Sequence, residues 1–190
     1  MASSEPSSFK MLLTLGLAGM VSGLVLVGIY TVTAPRIERN RAEALDRAVY
    51  QVLPGAVRKE TSEPNPEGDV VYAGYDAEDA LLGYAIPAEG AGFQDTIRLL
   101  YGVNLERRRV VGMRVLESRE TPGLGDKIFK DLDFVAEFDD LAIDPAIEAV
   151  PKGSAAEAWQ VDAITGATIS SKAIVRIIND GNERWLEELH

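Results

Sequence analysis

From Met11 to Ala34 the chain carries no charged residue, and a run of that length can cross a bilayer as a helix, which takes roughly 20 apolar residues. Tyr30 near its end suits a membrane interface, and Pro35-Arg36 marks the exit. The apolar core of a secretory signal is typically about 7 to 15 residues, so the length favours a retained anchor over a cleaved signal. Past the exit the pattern changes to helical spacing: Ile37, Ala42, Leu45, Val49 and Leu53 predict a connecting helix ended by Pro54-Gly55. Thr61 to Gly68, rich in Pro, Glu and Ser, predicts a surface loop. Four strands are predicted next, Val70 to Tyr75, Leu81 to Pro87, Ile97 to Val103 and Val110 to Leu116, with turns at Asp76 to Asp79 and at Glu106-Arg107-Arg108. Consecutive strands with such short connections imply an antiparallel meander. Ile128 to Leu141 mixes apolar and acidic residues without a clean period, and its Phe129, Phe134 and Phe138 are assigned chiefly to the core. The chain ends in a predicted helix from Ser170 to Leu189, with Ile174, Ile177, Ile178, Trp185 and Leu186 on one broad face. Gly181 weakens that helix by about 1 kcal/mol relative to alanine.

These elements predict an α+β fold, with one N-terminal transmembrane helix followed by a single domain in which helices pack an antiparallel sheet. The expected organisation is a short segment over 1–10, the membrane helix over 11–34, a connecting helix over 35–55 and the domain over 56–190. Gly19 and Gly23 have the spacing that lets a second membrane helix approach closely, but glycine is also common in membrane helices generally. Orientation is contradictory by charge alone. Lys10 precedes the span and Arg36, Arg39, Arg41 and Arg47 follow it, so a simple count of cations keeps the domain in the cytoplasm.

Composition narrows the chemistry. Thirty acidic against 19 basic residues give a net charge of −11, which argues against nucleic acid as a partner. Without cysteine there are no thiolate-held iron–sulfur clusters, CxxCH haem attachment or redox dithiols. The single histidine is the terminal His190, so neither a histidine metal site nor a Ser-His-Asp triad is expected. No G-x-G-x-x-G fingerprint opens a strand–turn–helix, which speaks against a dinucleotide site. Arg107-Arg108-Arg109 reads as a solvated hairpin tip.

Two strings stand out. Asp162-Ala163-Ile164-Thr165-Gly166-Ala167-Thr168 runs into the last helix, whose opening also carries Ser170, Ser171 and Lys172. A helix N-terminus offers free N–H groups and partial positive charge to a phosphate, although hydroxyl residues also serve there simply as caps. Glu120-Thr121-Pro122-Gly123-Leu124-Gly125-Asp126-Lys127 suits a rigid turn whose backbone can approach a flat ligand, with Pro122 and Gly123 in the central positions of a type II turn. Lys127 and Lys172 could favour an anionic ligand, or simply pair with nearby acids.

The first string resembles the flavinylation motif of the FMN-binding domain family, and E-T-P-G-L-G-D-K-I resembles the companion motif of its membrane-anchored electron-transport members. Gly92 to Leu100 and Val111 to Glu117 agree in style, and with the apolar segment the chain is similar over nearly its full length to the RnfG components of Rnf-type ion-translocating complexes. The NqrC component of the sodium-pumping NADH:quinone reductase is a related alternative, and a flavin-free, membrane-anchored assembly or binding module is another.

The resemblance implies that Thr168 carries FMN covalently, through a phosphoester to its side-chain oxygen. It implies further that Asp162 belongs to the motif read by a flavin transferase using FAD as donor. Thr165, Gly166 and Ala167 would hold the phosphate and ribityl chain, and Thr121 to Gly125 would face the isoalloxazine ring. The implied role is relay of electrons among other membrane and peripheral subunits of a complex that couples ferredoxin and NAD redox chemistry to ion translocation, without substrate turnover by this component itself. The implied location is a bacterial inner membrane, single-pass, with the domain on the periplasmic or outer side. The cation count is a weaker guide for a long translocated domain. Flavin is also the redox cofactor that the cysteine and histidine usage leaves open.

Overall fold

The computed structural model describes residues 8–65, 68–186, 188 and 189. Most of the predicted N-terminal segment, positions 66 and 67 of the predicted loop, position 187 near the chain end and His190 lie outside the described residues. The chain divides into two units, residues 1–43 and 44–190.

The first unit contains most of helix α1 (Ser8–Val52). Its apolar 18-residue window has mean hydropathy 2.2 and none of it is buried, unlike the core helix of a soluble protein. Pro35 lies inside α1. A proline removes one helical N–H and crowds the carbonyl four residues earlier. Just before it, Thr31 Oγ1 donates to the Gly28 carbonyl at 3.0 Å and Thr33 Oγ1 to that of Ile29 at 2.6 Å.

In the second unit the last turns of α1 bury Ala48, Val49 and Val52, with Leu53 just beyond, against Ala85 and Leu100. These belong to a six-stranded antiparallel sheet in sequential order: β1 (Arg58–Thr61), β2 (Tyr72–Tyr75), β3 (Leu81–Ala91), β4 (Thr96–Asn104), β5 (Arg109–Glu117) and β6 (Leu141–Ala142). The opposite face carries Ile86, Ile97, Leu99, Tyr101, Val103 and Met113 into the main core. Successive side chains of a strand alternate between faces. Because both faces are covered, β4 is apolar almost without interruption from Leu99 to Val103.

The main core is closed by α2 (Lys127–Lys130), α3 (Leu132–Ala136) and α4 (Thr168–Trp185). A two-stranded parallel sheet, β7 (Glu148–Val150) with β8 (Gln160–Asp162), leads into α4. Helix α4 buries Ile174, Ile177, Ile178 and Trp185, the face expected from spacing, while Leu186 follows the helix half-buried.

The α+β class and the meander are borne out, and β2 to β5 fall where alternation placed them. Four short strands do not. β1, β6, β7 and β8 span two to four residues each, too few for a period to be visible. The 128–141 run is two short helices split at Asp131, whose carboxylate accepts the Phe134 N–H at 3.4 Å as the cap of α3. Phe134 and Phe138 are buried edge to face, 5.3 Å apart, whereas Phe129 is exposed. The arginine tip is more than a solvated turn. Arg108 pairs with Asp144, and Arg109 donates to the Asp140 carbonyl at 2.5 Å, so the tip ties the 140–144 segment beside β5. Exposed pairs of this kind contribute about 0–1 kcal/mol each.

Candidate functional site

Three separate segments meet at one end of the main core. They are the β3–β4 turn, the 120–127 string and the start of α4. An open cavity of about 310 Å³ lies between them, lined by Phe93, Thr121, Leu124, Gly125, Gly166, Ala167, Thr168, Ile169 and Ser170. That is the low end of ligand-pocket volumes, roughly 300–1,000 Å³, so a ligand larger than this would protrude into solvent.

The 121–124 turn forms as its residue types dictate. Leu124 N donates to the Thr121 carbonyl at 3.1 Å, and Gly123, at the third position, has φ +79°, as a type II turn requires. Gly123 N also donates to Asp126 Oδ1 at 2.8 Å, while Asp126 holds Lys130 Nζ at 2.5 Å. Asp126 is therefore held below the ordinary carboxylate range, first by Lys130, against an opposing push from burial, and then by the Gly123 N–H. The turn leaves Leu124 half exposed at the cavity.

Across the cavity, Gly166 has φ +82°, where a side chain would be strained, and a Cβ there would stand 3.6 Å from Leu124 Cδ2. The two strings thus touch. Helix α4 begins at Thr168, and its N-cap is Ala167, which supplies no side-chain cap. Ser171 N returns to the Ala167 carbonyl at 2.9 Å. The N–H groups of Thr168, Ile169 and Ser170 have no partner within the helix. Ser171 Oγ donates to the Ala167 carbonyl at 3.0 Å and accepts from Ile164 N at 3.1 Å. Ser170 Oγ donates to Glu120 Oε2 at 2.5 Å. Both serines are buried and spent on structure. Thr168 is exposed, and its hydroxyl has no hydrogen-bond partner among the described residues. A hydroxyl that does not cap, at a helix start with open N–H groups, suits attachment or contact of a phosphate better than it suits stabilisation of the helix.

Glu120 lies behind the cavity wall at 5% exposure. Beyond Ser170, it accepts the N–H of Gln94 at 2.9 Å and of Asp95 at 3.5 Å. Burial pushes its carboxyl up, but the Ser170 hydroxyl and the backbone N–H groups of Gln94, Asp95 and Phe93 together hold it below its ordinary value. Thr121 Oγ1 donates to Gln94 Oε1 at 2.9 Å, a second tie between the same segments.

Of the residues expected at the site, Thr121, Leu124, Gly125, Gly166, Ala167, Thr168 and Ser170 line the cavity. Pro122, Gly123, Thr165, Lys127 and Lys172 do not, and neither lysine forms an ion pair among the described residues. Asp162 ends β8, where its carboxylate accepts the N–H groups of Gly153, Ser154 and Ala155 at 2.8, 3.0 and 2.9 Å. The Ala155 N–H above all, against an opposing effect of burial, holds it below its ordinary range. Asp162 therefore shapes the 153–155 turn and stands outside the cavity lining. Phe93 and Ile169 were missed. Their available signals were an aromatic in the Gly92–Asp95 turn and an apolar residue off the buried face of α4, 63% and 58% exposed respectively.

A larger concavity, about 650 Å³, lies elsewhere, among Pro87, Leu99, Ile177, Gly181 and Trp185. Four of its five charged lining residues are paired, Arg98 with Glu89 at 2.7 Å and Arg184 with Asp69 at 3.0 Å, with Asp180 the fifth, and it contains neither string. The smaller cavity is the better candidate.

This cavity, the free threonine at a helix start and the apolar rim define a class, and residues 92–183 match the FMN-binding domain family. The residues present fit such a ligand: N–H groups and a hydroxyl for the phosphate, and Phe93, Leu124 and Ile169 for a flat ring. The G-type component of the ion-translocating oxidoreductase complex of Methanosarcina acetivorans is 33% identical over 172 residues, covering 87% of this chain and 88% of that one. The G-type component of the proton-translocating ferredoxin:NAD(+) oxidoreductase complex of Clostridium ljungdahlii is 27% identical, covering 95% and 92%. The chain belongs to this RnfG family. Among solved structures, the NqrC-type component of the Na(+)-translocating NADH-quinone reductase of Parabacteroides distasonis superposes with a TM-score of 0.62 at 19% identity, over 81% of this chain and 96% of that one, which shows a shared fold.

Proposed function

We propose that this protein is a membrane-anchored electron carrier of an Rnf-type ion-translocating complex, with FMN held covalently by a phosphoester to Thr168. The observation that carries the reading is the meeting of the two strings around one cavity, with an unspent threonine hydroxyl at the start of α4. The flavin supplies one- and two-electron chemistry that no ordinary side chain can. The chain supplies the rest. The open N–H groups of α4 stabilise phosphate charge, Leu124 and Phe93 present apolar surface to the ring, and Gly166 keeps the phosphate loop tight against Leu124.

The exposed apolar stretch of α1 is the anchor. We place it in the inner membrane, with the domain on the outer side as the second unit of the chain. A covalent link suits that location, because flavin nucleotides are made inside the cell and a dissociated one could not readily be replaced. Maturation then needs a flavin transferase with FAD as donor, and Asp162 contributes by forming the turn beside the modified segment. The relatives matched at 33% and 27% identity favour the RnfG assignment over the quinone-reductase component.

Intact-mass measurement and peptide mapping of protein purified from its native membrane test this reading. An FMN-sized increment on the peptide containing Thr168 is expected. An unmodified Thr168 in native material would overturn the carrier reading and leave a flavin-free anchored module.

A further inference from the structure

Among the described residues of the second unit two acids are almost wholly buried, Asp126 and Glu120. Asp126 has a counter-ion in Lys130. Glu120 has none among the described residues: its partners are the Ser170 hydroxyl and the N–H groups of Gln94 and Asp95, all neutral. Hydrogen bonds to a carboxylate stabilise its charged form without cancelling the charge. The carboxylate is also packed tightly. A Cβ on Gly125 would come 2.7 Å from Glu120 Oε2, and a Cβ on Gly92 would collide with Oε1. Three residues that Glu120 bonds, abuts or precedes, Ser170, Gly125 and Thr121, and the turn bearing Phe93 form part of the cavity lining. One layer of protein therefore separates an uncompensated negative charge from the ligand space. Lys127 is half-buried and Lys172 exposed, neither is paired with Glu120, and solvent screens an exposed charge more than a buried one.

We propose that Glu120 is a positioning residue for the flavin, clamping the 93–95 turn to the start of α4, and that its uncompensated charge lowers the reduction potential of the bound ring. This rests on the flavin reading given above. Adding an electron to a ring beside a fixed negative charge is less favourable, and the effect is large where water is excluded. A neutral side chain of the same shape could hold the same three segments through some of the same bonds, so charge and clamp are separable.

The full chain, co-expressed with a flavin transferase and purified in detergent, is compared with Glu120→Gln and Glu120→Asp. Mass spectrometry first records flavin load, then spectroelectrochemical titration gives each potential. The glutamine variant, which loses the charge and keeps the shape, is expected to be easier to reduce, with the ratio of reduced to oxidised flavin at a fixed potential rising about tenfold or more. The aspartate variant, which keeps the charge and loses reach, is expected to hold a potential near wild type while unfolding at lower temperature. An unchanged potential in a flavin-loaded Glu120→Gln chain overturns the inference alone. If the glutamine variant does not fold, the aspartate variant decides: a potential displaced from wild type despite the retained charge traces the effect to shape and overturns the electrostatic role. A wild-type chain without flavin refutes the carrier reading and the inference together.

Discussion

Gly125→Ala isolates the packing on which the cavity depends. Gly125 is not in the left-handed region, so alanine meets no backbone penalty there and gains about 0.4–1 kcal/mol by restricting the unfolded chain. Against that, the new methyl would stand 2.7 Å from Glu120 Oε2, 2.8 Å from Glu120 Cβ and 3.1 Å from Ser170 Oγ. Comfortable carbon contacts lie near 3.5–4.0 Å, so the side chain has to retreat by roughly 1 Å. The 2.5 Å bond from Ser170 cannot survive such a shift. Losing a hydrogen bond to a buried charge costs about 1.5–3 kcal/mol, and overpacking adds about 1–3 kcal/mol. The net is a destabilisation of about 2–5 kcal/mol. For a domain of this size, at about 2–4 °C per kcal/mol, the expected fall in Tm is on the order of 4–20 °C. Thermal unfolding of the full chain in detergent, followed by near-ultraviolet circular dichroism, measures it. Glu120→Ala supplies the control: it removes the carboxylate and its Ser170 bond but keeps the Cβ that the new methyl also meets, so adding Gly125→Ala should cost less than in wild type by about the worth of that bond. A Tm within about 1 °C of wild type, or full additivity with Glu120→Ala, would refute the packing account.

Thr168→Ala is expected to abolish covalent flavin while changing stability by less than about 0.5 kcal/mol, since the side chain is exposed and its hydroxyl unbonded; mass spectrometry and a melting curve decide, and flavin persisting on the variant would refute the attachment site. Phe93→Ala should likewise leave stability unchanged, the ring being 63% exposed, yet should shift the visible absorption bands of the attached flavin by replacing an apolar neighbour with water; an unchanged spectrum would remove Phe93 from the ring site. The folded state holds Glu120 below its usual value, hydrogen bonds outweighing burial, and Asp144 too, chiefly through Arg108. The stability these groups contribute is full above the unfolded carboxylate range of about 4, and is lost as pH falls through the lower folded values. Glu137 and Asp139, pushed up by burial, act oppositely and regain part of it. Urea unfolding between about pH 6 and about pH 3 should show a shallower acid loss in Glu120→Gln than in wild type, and parallel curves would refute the assignment.

Much of this protein was legible in the order of its residues, because the relevant physics is local. An uncharged run from Met11 to Ala34 sets a long apolar helix by its length, and α1 covers it. β3 to β5 announce themselves because nine to eleven residues of alternation or continuous apolarity exceed what a turn would show. The Thr121-Pro122-Gly123-Leu124 turn was legible for the same reason, since proline and glycine each select one backbone region. The start of α4 followed from its hydroxyl and glycine residues, to within two positions.

Tertiary structure decided what depends on distant partners. Nothing local distinguishes the hydroxyl of Ser170, consumed by a carboxylate 50 residues earlier, from that of Thr168, left free two positions away. Asp162 enters the motif through the family resemblance, and only the fold shows what its carboxylate does, which is to accept three N–H groups of the 153–155 turn. Glu120 reads as the head of the turn string, and only the closing of the β3–β4 turn and α4 over it shows that it is buried behind the cavity wall. β1, β6, β7 and β8 exist because neighbours pair with them, not because of any preference of their own. Periodicity, turn chemistry and length therefore belong to the sequence. Which polar groups are satisfied, and which remain available for chemistry, belongs to the fold, since satisfaction is a property of pairs that only folding brings together.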